Sequence, residues 1–193
     1  MIVKAQSVAL AQPSARLHPV LLVVSASLFV ALCAHISVPL PFSPVPFTMQ
    51  DLAVLLVGLA LGPTLGCAAL VLYLAEGAVG LPFFAPGPGG IAQLIGPTGG
   101  YLMAYPFVAY IAGAVFNRIR ARQHKFLSAL AACTLAQIVL FAAGGLWLSL
   151  ATHSLAQATL LGIIPFLPLA AVKIALASTA ATRFGIRDKQ YKL

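Results

Sequence analysis

The sequence has very little charge. Only 7% of its 193 residues are Asp, Glu, Lys or Arg, and only three residues are acidic. Soluble domains are about 25% charged, because they need a solvated surface. Between Arg16 and Arg118 only Asp51 and Glu76 carry a formal charge, and the mean hydropathy of the chain is +1.03. Such a stretch cannot cover a water-facing surface, so the sequence predicts an all-α integral membrane protein in a lipid bilayer.

Chemical signatures of enzymes are also missing. The three cysteines form no Cys-x-x-Cys motif, and the four histidines share no spacing suited to a metal. The sequence contains no Gly-x-Ser-x-Gly or His-Glu-x-x-His motif, and its glycine-rich segment is not followed by Gly-Lys-Ser/Thr. We therefore expect no catalytic residues, no metal and no cofactor.

Ten of the eleven lysines and arginines lie in three short groups that flank apolar segments. These groups are Lys4 and Arg16; Arg118, Arg120, Arg122 and Lys125; and Arg183, Arg187, Lys189 and Lys192. A nucleic-acid-binding surface would interleave basic residues with polar and aromatic ones, so no nucleic-acid partner is expected. The grouping is typical of loops on the cytoplasmic side of a membrane.

The first predicted membrane helix runs from Pro19 to about Val38, close to the length of about 20 residues that crosses a bilayer core. Four prolines within Val38–Gln50 exclude a helix there. We expect an ordered loop or cap in that segment.

The apolar run Leu52–Val79 is too long for one straight span at about 1.5 Å per residue. Gly62-Pro63 near its middle combines a helix stop with a helix start. The sequence therefore predicts two short helices, about Phe47–Leu61 and Thr64–Val79, joined by a tight turn.

The rest of the chain alternates irregular and apolar segments. Gly80–Gly100 is rich in glycine and proline and has no helical period. Two further helices are predicted over Tyr101–Phe116 and Phe126–Leu150. The last is predicted over Pro168–Ile186, or as a longer element that starts at Ala158.

Six crossings place all three basic groups on one side of the membrane, whereas five would separate the first two groups. We therefore predict one compact bundle in the cytoplasmic membrane with both termini cytoplasmic. Residues 1–193 form a single membrane domain: 1–18 and 187–193 are cytoplasmic tails, and 19–186 hold six transmembrane helices.

Glu76 and Lys173 lie inside apolar segments, where an ionisable group costs free energy and usually has a function. The predicted topology places both in the outer half of the bilayer. They either pair with each other or face a pocket open to the outside.

Uncharged polar groups are expected near the same side: Gln50, Tyr73, Gln93 and Thr98. Gly96–Tyr101 also points the amino end of a helix there, with its partial positive charge. The set suits a small ligand with an amide-like or anionic part and an apolar body.

Small residues recur four apart at Ser27/Ala31, Gly58/Gly62, Ala109/Gly113 and Ala171/Ala175. Such pairs let helices approach closely in lipid. They serve packing within the chain, or docking of another membrane protein, for which Ser27/Ala31 is the best candidate.

Several segments, in order along the chain, resemble the BioY family, the biotin-binding S components of energy-coupling factor (ECF) transporters. They are Val38–Gln50 (VPLPFSPVPFTMQ), Leu59–Gly66 (LALGPTLG), Tyr73–Phe84 (YLAEGAVGLPFF), Gly89-Gly90, Gly96–Tyr101 (GPTGGY) and Pro165–Lys173 (PFLPLAAVK). The resemblance implies six membrane helices, a biotin pocket near the outer face and no enzymatic activity. It also implies docking onto a transmembrane coupling subunit that carries two ATPase subunits, through a first-helix seam matched by Ser27/Ala31.

Lys173 matches a lysine that the family uses in ligand binding. The family commonly has Gly-Asp three residues before it, where this chain has Leu169-Ala170. The resemblance therefore implies that Glu76 or Gln93 replaces the missing carboxylate, or that affinity is reduced. A self-sufficient vitamin carrier, an S component for another vitamin, a membrane enzyme and a structural membrane protein are the alternatives.

Overall fold

A computed structural model describes residues 18–84, 87, 89–120 and 124–183 of the chain. The helices are α1 (Pro19–Ala34), α2 (Gln50–Ala78), α3 (Ile91–Ile95), α4 (Gly99–Ile119), α5 (Lys125–Thr152), α6 (Leu155–Gly162) and α7 (Leu167–Arg183). The strands are β1 (Ser37–Leu40) and β2 (Ser43–Thr48). Four helical stretches, Gln50–Ala78, Gly99–Ile119, Lys125–Thr152 and Leu155–Arg183, are long and apolar enough to cross a membrane, and α1 is a shorter apolar helix.

The proline-rich segment after α1 is a two-stranded antiparallel ribbon, in which Ser37 lies opposite Thr48 and Val38 opposite Phe47. The absence of a helix is confirmed, but the strands are an addition to the prediction. Proline fits a ribbon because only alternate N–H groups of a strand face its partner. As a consequence, α1 ends at Ala34 rather than Val38, and α2 begins at Gln50 rather than Phe47.

Helix α2 folds back on itself at Gly62, whose backbone has φ 79° and ψ −172°. The Gln50 and Tyr73 side chains lie 2.7 Å apart, whereas a straight helix would separate these residues by about 34 Å. Its first half (residues 50–61) and second half (residues 63–78) therefore lie side by side. This confirms the prediction of two helices joined at Gly62-Pro63, because glycine adopts the positive φ and proline starts the second helix.

Helix α4 packs against this bend through residues without side chains. A Cβ atom added at Gly58 would lie 2.5 Å from the carbonyl oxygen of Ala109. One added at Gly113 would lie 2.6 Å from the carbonyl oxygen of Gly58 and from the backbone of Gly62 and Pro63. The small pairs in α2 and α4 thus serve packing within the chain.

The remaining helices follow the predictions with shifted ends. Helices α4 and α5 contain the predicted spans and extend beyond them at both ends. The segment predicted to be irregular between residues 80 and 100 contains the short helix α3, and the last span takes the longer form, as α6, a 3-10 turn (Ile164–Phe166) and α7. The predicted end at Ile186 and both predicted tails, apart from His18, lie outside the described residues.

Candidate ligand-binding site

Lys173 is held by a carboxylate that lies far away in the sequence. Its Nζ donates to Asp51 Oδ1 and to the carbonyl oxygen of Thr48, both at 2.5 Å. Lys173 is 3% exposed, and Asp51 lies in the first turn of α2, directly after β2. The start of α2, the end of β2 and the start of α7 therefore meet at one ion pair.

The pairing is what makes this lysine tolerable inside an apolar protein. A buried charge without a partner is strongly destabilising, and a partner at hydrogen-bond distance offsets most of that cost. The first turn of a helix also favours a carboxylate such as Asp51. Because an ammonium group has three N–H donors and two are used by Asp51 and Thr48, Lys173 has one donor left for a ligand.

A cavity opens beside the ion pair. Its lining combines polar and apolar side chains from several elements: Val45, Pro46, Thr48, Gln50, Asp51, Thr98, Tyr101, Leu102, Tyr105, Gln137, Leu140, Phe141, Phe166, Leu169 and Lys173. The empty space amounts to about 580 Å³, including its open mouth. A concave site that combines apolar side chains with a few polar groups is typical of small-molecule binding.

Side chains that do not themselves line the cavity support its polar wall from behind. Gln50 Nε2 donates to the Tyr73 hydroxyl at 2.7 Å, and that hydroxyl donates to the Phe83 carbonyl oxygen at 3.0 Å. Tyr73 is fully buried and its ring packs edge-on against Phe84. This chain of hydrogen bonds fixes the orientation of Gln50, so Tyr73 positions the wall without lining it.

The start of α4 supplies another wall, with Thr98 and two tyrosines. Tyr101 donates its hydroxyl to the carbonyl oxygen of Gly162 at 2.7 Å, and Trp147 donates its indole N–H to that of Gly96 at 2.9 Å. These bonds tie α4 to α6, and the turn just before α4 to α5. The cavity therefore has rigid walls on this side.

The structure places the predicted ligand-binding residues in different environments. Lys173, Gln50 and Thr98 line the cavity. Gln93 lies outside it, in a shallow surface pocket beside Pro44, Gly87 and Thr98.

Glu76 does not line the cavity. It lies in the contact between α1 and α2, where it accepts a hydrogen bond from Ser27 of α1. The predicted alternative of a Lys173–Glu76 pair is therefore wrong, because Lys173 pairs with Asp51. The carboxylate that the sequence lacks at Ala170 is present in the cavity as Asp51, not as Glu76.

Ser27 and Ala31 do not form the exposed seam that the docking prediction requires. They are 0% and 5% exposed, and the bond from Ser27 to Glu76 joins α1 to the second half of α2. A partner helix cannot contact side chains that the chain itself covers. The structure thus places this pair in the alternative role of internal packing.

Several cavity residues were missed by sequence reasoning, chiefly Asp51, Gln137 and Tyr105. One feature of the sequence indicates Asp51 as a possible partner of Lys173. A buried lysine needs a counter-charge, and only two carboxylates lie in the apolar region. Nothing in the sequence chose between them. Gln137 had a weaker signal, as the one amide side chain of the mostly apolar helix α5.

Similarity to known proteins extends over nearly the whole chain. The sequence profile described as the BioY family matches residues 6–187. The chain belongs to the BioY family. The resemblance drawn from its motifs is confirmed.

Relatives within the BioY family match over most of their length. A probable biotin transporter BioY of Pyrococcus horikoshii is 39% identical over 160 residues, which are 81% of this chain and 91% of the relative. The biotin transporter BioY of Thermotoga maritima is 34% identical over 163 residues, 83% and 93% of the two chains. A crystal structure of the S-component for biotin from an ECF-type ABC transporter is 24% identical, covers 86% of this chain and 90% of its own, and superposes with a TM-score of 0.79. It shows the shared fold.

Proposed function

We propose that this chain binds biotin with high affinity and captures it for uptake, as the substrate-binding S component of an ECF-type transporter. The observation that carries the proposal is the cavity, where the Lys173–Asp51 ion pair lies beside both polar and apolar side chains. Biotin has a neutral cyclic urea, an apolar bicyclic body and a carboxylate on an aliphatic tail. The names of the BioY relatives support biotin as the ligand.

The cavity offers a matching group for each part of such a ligand. Lys173 has one N–H donor left for an oxygen, and Asp51 has a second carboxylate oxygen as an acceptor. Leu140, Phe141 and Phe166 supply apolar contact area. The proposed substrate-binding residues are therefore Lys173, Gln50 and Thr98 of the predicted set, with Asp51 added and Tyr73 in a positioning role.

Transport needs a source of energy that the chain is not proposed to supply. We propose that a transmembrane coupling subunit and two ATPase subunits drive uptake. The structural neighbour supports this proposal, because it is the biotin S-component of an ECF-type ABC transporter. Biotin uptake into vesicles that contain this chain alone would instead favour a self-sufficient carrier.

Calorimetry on the purified protein tests the ligand. We expect saturable, one-to-one binding of biotin, and binding of desthiobiotin as well, because it keeps the urea and the carboxylate. Thiamine and riboflavin serve as controls and should give no heat. Binding of either vitamin in preference to biotin would contradict the proposed substrate and favour an S component for another vitamin.

The proposed topology has six crossings, formed by α1, the two halves of α2, α4, α5 and the α6–α7 unit. The side-by-side halves of α2 support this count, although each is shorter than a standard span. With the basic groups on the cytoplasmic side, the ion pair lies toward the outside and both termini are cytoplasmic.

Labelling of single cysteines checks this orientation. A variant without Cys33, Cys67 and Cys133 receives one cysteine at Ala5 or Gln190. We expect neither site to react with a membrane-impermeant maleimide in intact cells, and both to react after the membrane is opened. Reaction of either site in intact cells would contradict the six-crossing topology.

A further inference from the structure

Helix α5 carries one amide into the cavity. Gln137 is 4% exposed, and its Oε1 has no hydrogen-bond partner within the described part of the chain. Its buried neighbours along the same helix face are apolar, namely Cys133, Ala136 and Leu140. With Leu140 and Phe141 it forms the α5 wall of the cavity.

A buried amide oxygen without a hydrogen-bond partner is unfavourable. Buried polar atoms are nearly always hydrogen-bonded, and Gln137 Oε1 is one of the few buried side-chain oxygens in the described residues that is not. A leucine would fill the same helix position without that cost. A hydrogen-bond donor on a ligand in the cavity would supply the missing partner of this oxygen.

We propose that Gln137 is a specificity-determining residue, whose Oε1 accepts a hydrogen bond from an N–H group of the ligand's cyclic urea. This inference rests on the proposed function and adds to it the group that selects for a urea or amide N–H. Among the residues that line the cavity, only Lys173 and Asp51 are charged, and they form an ion pair with each other. The α5 wall is therefore neutral. On this apolar wall, the neutral amide oxygen suits a neutral N–H donor of the ligand. It does not suit a ligand carboxylate, which it would repel.

The urea of biotin presents one carbonyl acceptor and two N–H donors. The remaining donor of Lys173 suits the acceptor, the unpartnered oxygen of Gln137 suits one donor, and the Asp51 carboxylate is the acceptor proposed for the other. A ligand that lacks one N–H leaves a buried acceptor unpaired again, and such sites discriminate strongly. Gln137 thus separates ureas from analogues of the same shape without N–H groups.

Calorimetry on the purified full chain tests the assignment with two ligands, biotin and biotin methylated on its urea nitrogens. We expect Gln137→Leu to weaken biotin binding about 5- to 30-fold. Its thermal unfolding temperature without ligand should be unchanged or higher, because an apolar side chain replaces an unpaired amide. Methylated biotin should bind the unaltered protein more weakly than biotin does, and Gln137→Leu should not weaken it further.

Ser128→Ala is the matched control. Ser128 is also buried on α5, its hydroxyl has no partner among the residues that the structure describes, and it does not line the cavity. This variant should bind biotin like the unaltered protein. Equal biotin affinity in Gln137→Leu and the unaltered protein would overturn the inference while leaving the proposed function intact. Absence of biotin binding by the unaltered protein would instead overturn the proposed function.

Discussion

Replacing Lys173 with methionine is expected to weaken biotin binding roughly 10- to 150-fold and also to destabilise the protein. A charge-assisted hydrogen bond from a buried ammonium group contributes about 1.5–3 kcal/mol, and losing it gives that change in affinity. Methionine keeps the length of the side chain and removes its charge. The loss of stability follows from Asp51, because Lys173 is the cation that faces its carboxylate at 2.5 Å.

Removing one partner of a buried ion pair costs about 3–5 kcal/mol, because the other charge is left without compensation. The side chains of Lys173 and Asp51 are only 4% and 15% exposed, so water compensates little. We therefore expect Lys173→Met to lower the midpoint of thermal unfolding by several degrees. Circular dichroism of the protein in detergent, with and without biotin, measures this shift.

A second substitution separates the two effects. Asp51→Asn removes the stranded charge, so the Lys173→Met/Asp51→Asn double variant should regain the stability of the unaltered protein. Its affinity for biotin should stay low, because the ligand has still lost the ammonium group. Biotin affinity restored to the unaltered level in the double variant would contradict the ligand role of Lys173.

The matched control uses the other carboxylate of the apolar region. Glu76 accepts from Ser27 of α1, away from the ion pair, so Lys173→Met/Glu76→Gln should stay as unstable as Lys173→Met alone. Rescue by Glu76→Gln, and not by Asp51→Asn, would contradict the ion pair seen in the structure.

The sequence alone could not predict whether Asp51 or Glu76 pairs with Lys173. Low charge and apolar run lengths predict the membrane helices, because each follows from the local cost of placing polar groups in lipid. Which of two carboxylates meets Lys173 depends on a contact between residues 122 positions apart. No local period or motif encodes that choice.

The two proline-containing segments differ in the same way. Gly62-Pro63 acts within one helix, so its effect on the chain direction was predicted correctly. The prolines of β1 and β2 exclude a helix but do not indicate a strand, since proline is disfavoured in most sheets. The two strands pair with each other as a two-stranded sheet, and the ribbon carries Thr48 to the carbonyl contact with Lys173.

The buried face of α1 also required tertiary information. Small residues four apart predict a close helix contact without saying whether the second helix belongs to the same chain. The burial of both residues, with the hydrogen bond from Ser27 to Glu76 of α2, answers that question for this pair. The proposed docking of a coupling subunit therefore requires other surfaces.

Gly113→Ala is expected to abolish the native packing of α2 against α4. In an exposed helix, exchanging glycine for alanine stabilises by about 1 kcal/mol, so a simple helix argument predicts a more stable protein. Here the added methyl group would lie 2.6 Å from three backbone atoms of Gly58, Gly62 and Pro63. Backbone cannot rotate away as a side chain can, so we expect a loss of about 3 kcal/mol or more.

The effect should reach the cavity, because the bend at Gly62 determines where the first half of α2 lies, and that half begins with Gln50 and Asp51. We therefore expect biotin binding to be lost together with thermal stability. Gly96→Ala is the matched control: its methyl group would meet nothing closer than 3.5 Å on a backbone with φ −69°. That variant should fold and bind normally. A Gly113→Ala protein as stable as the unaltered one would show that α2 and α4 are not in backbone contact at this point.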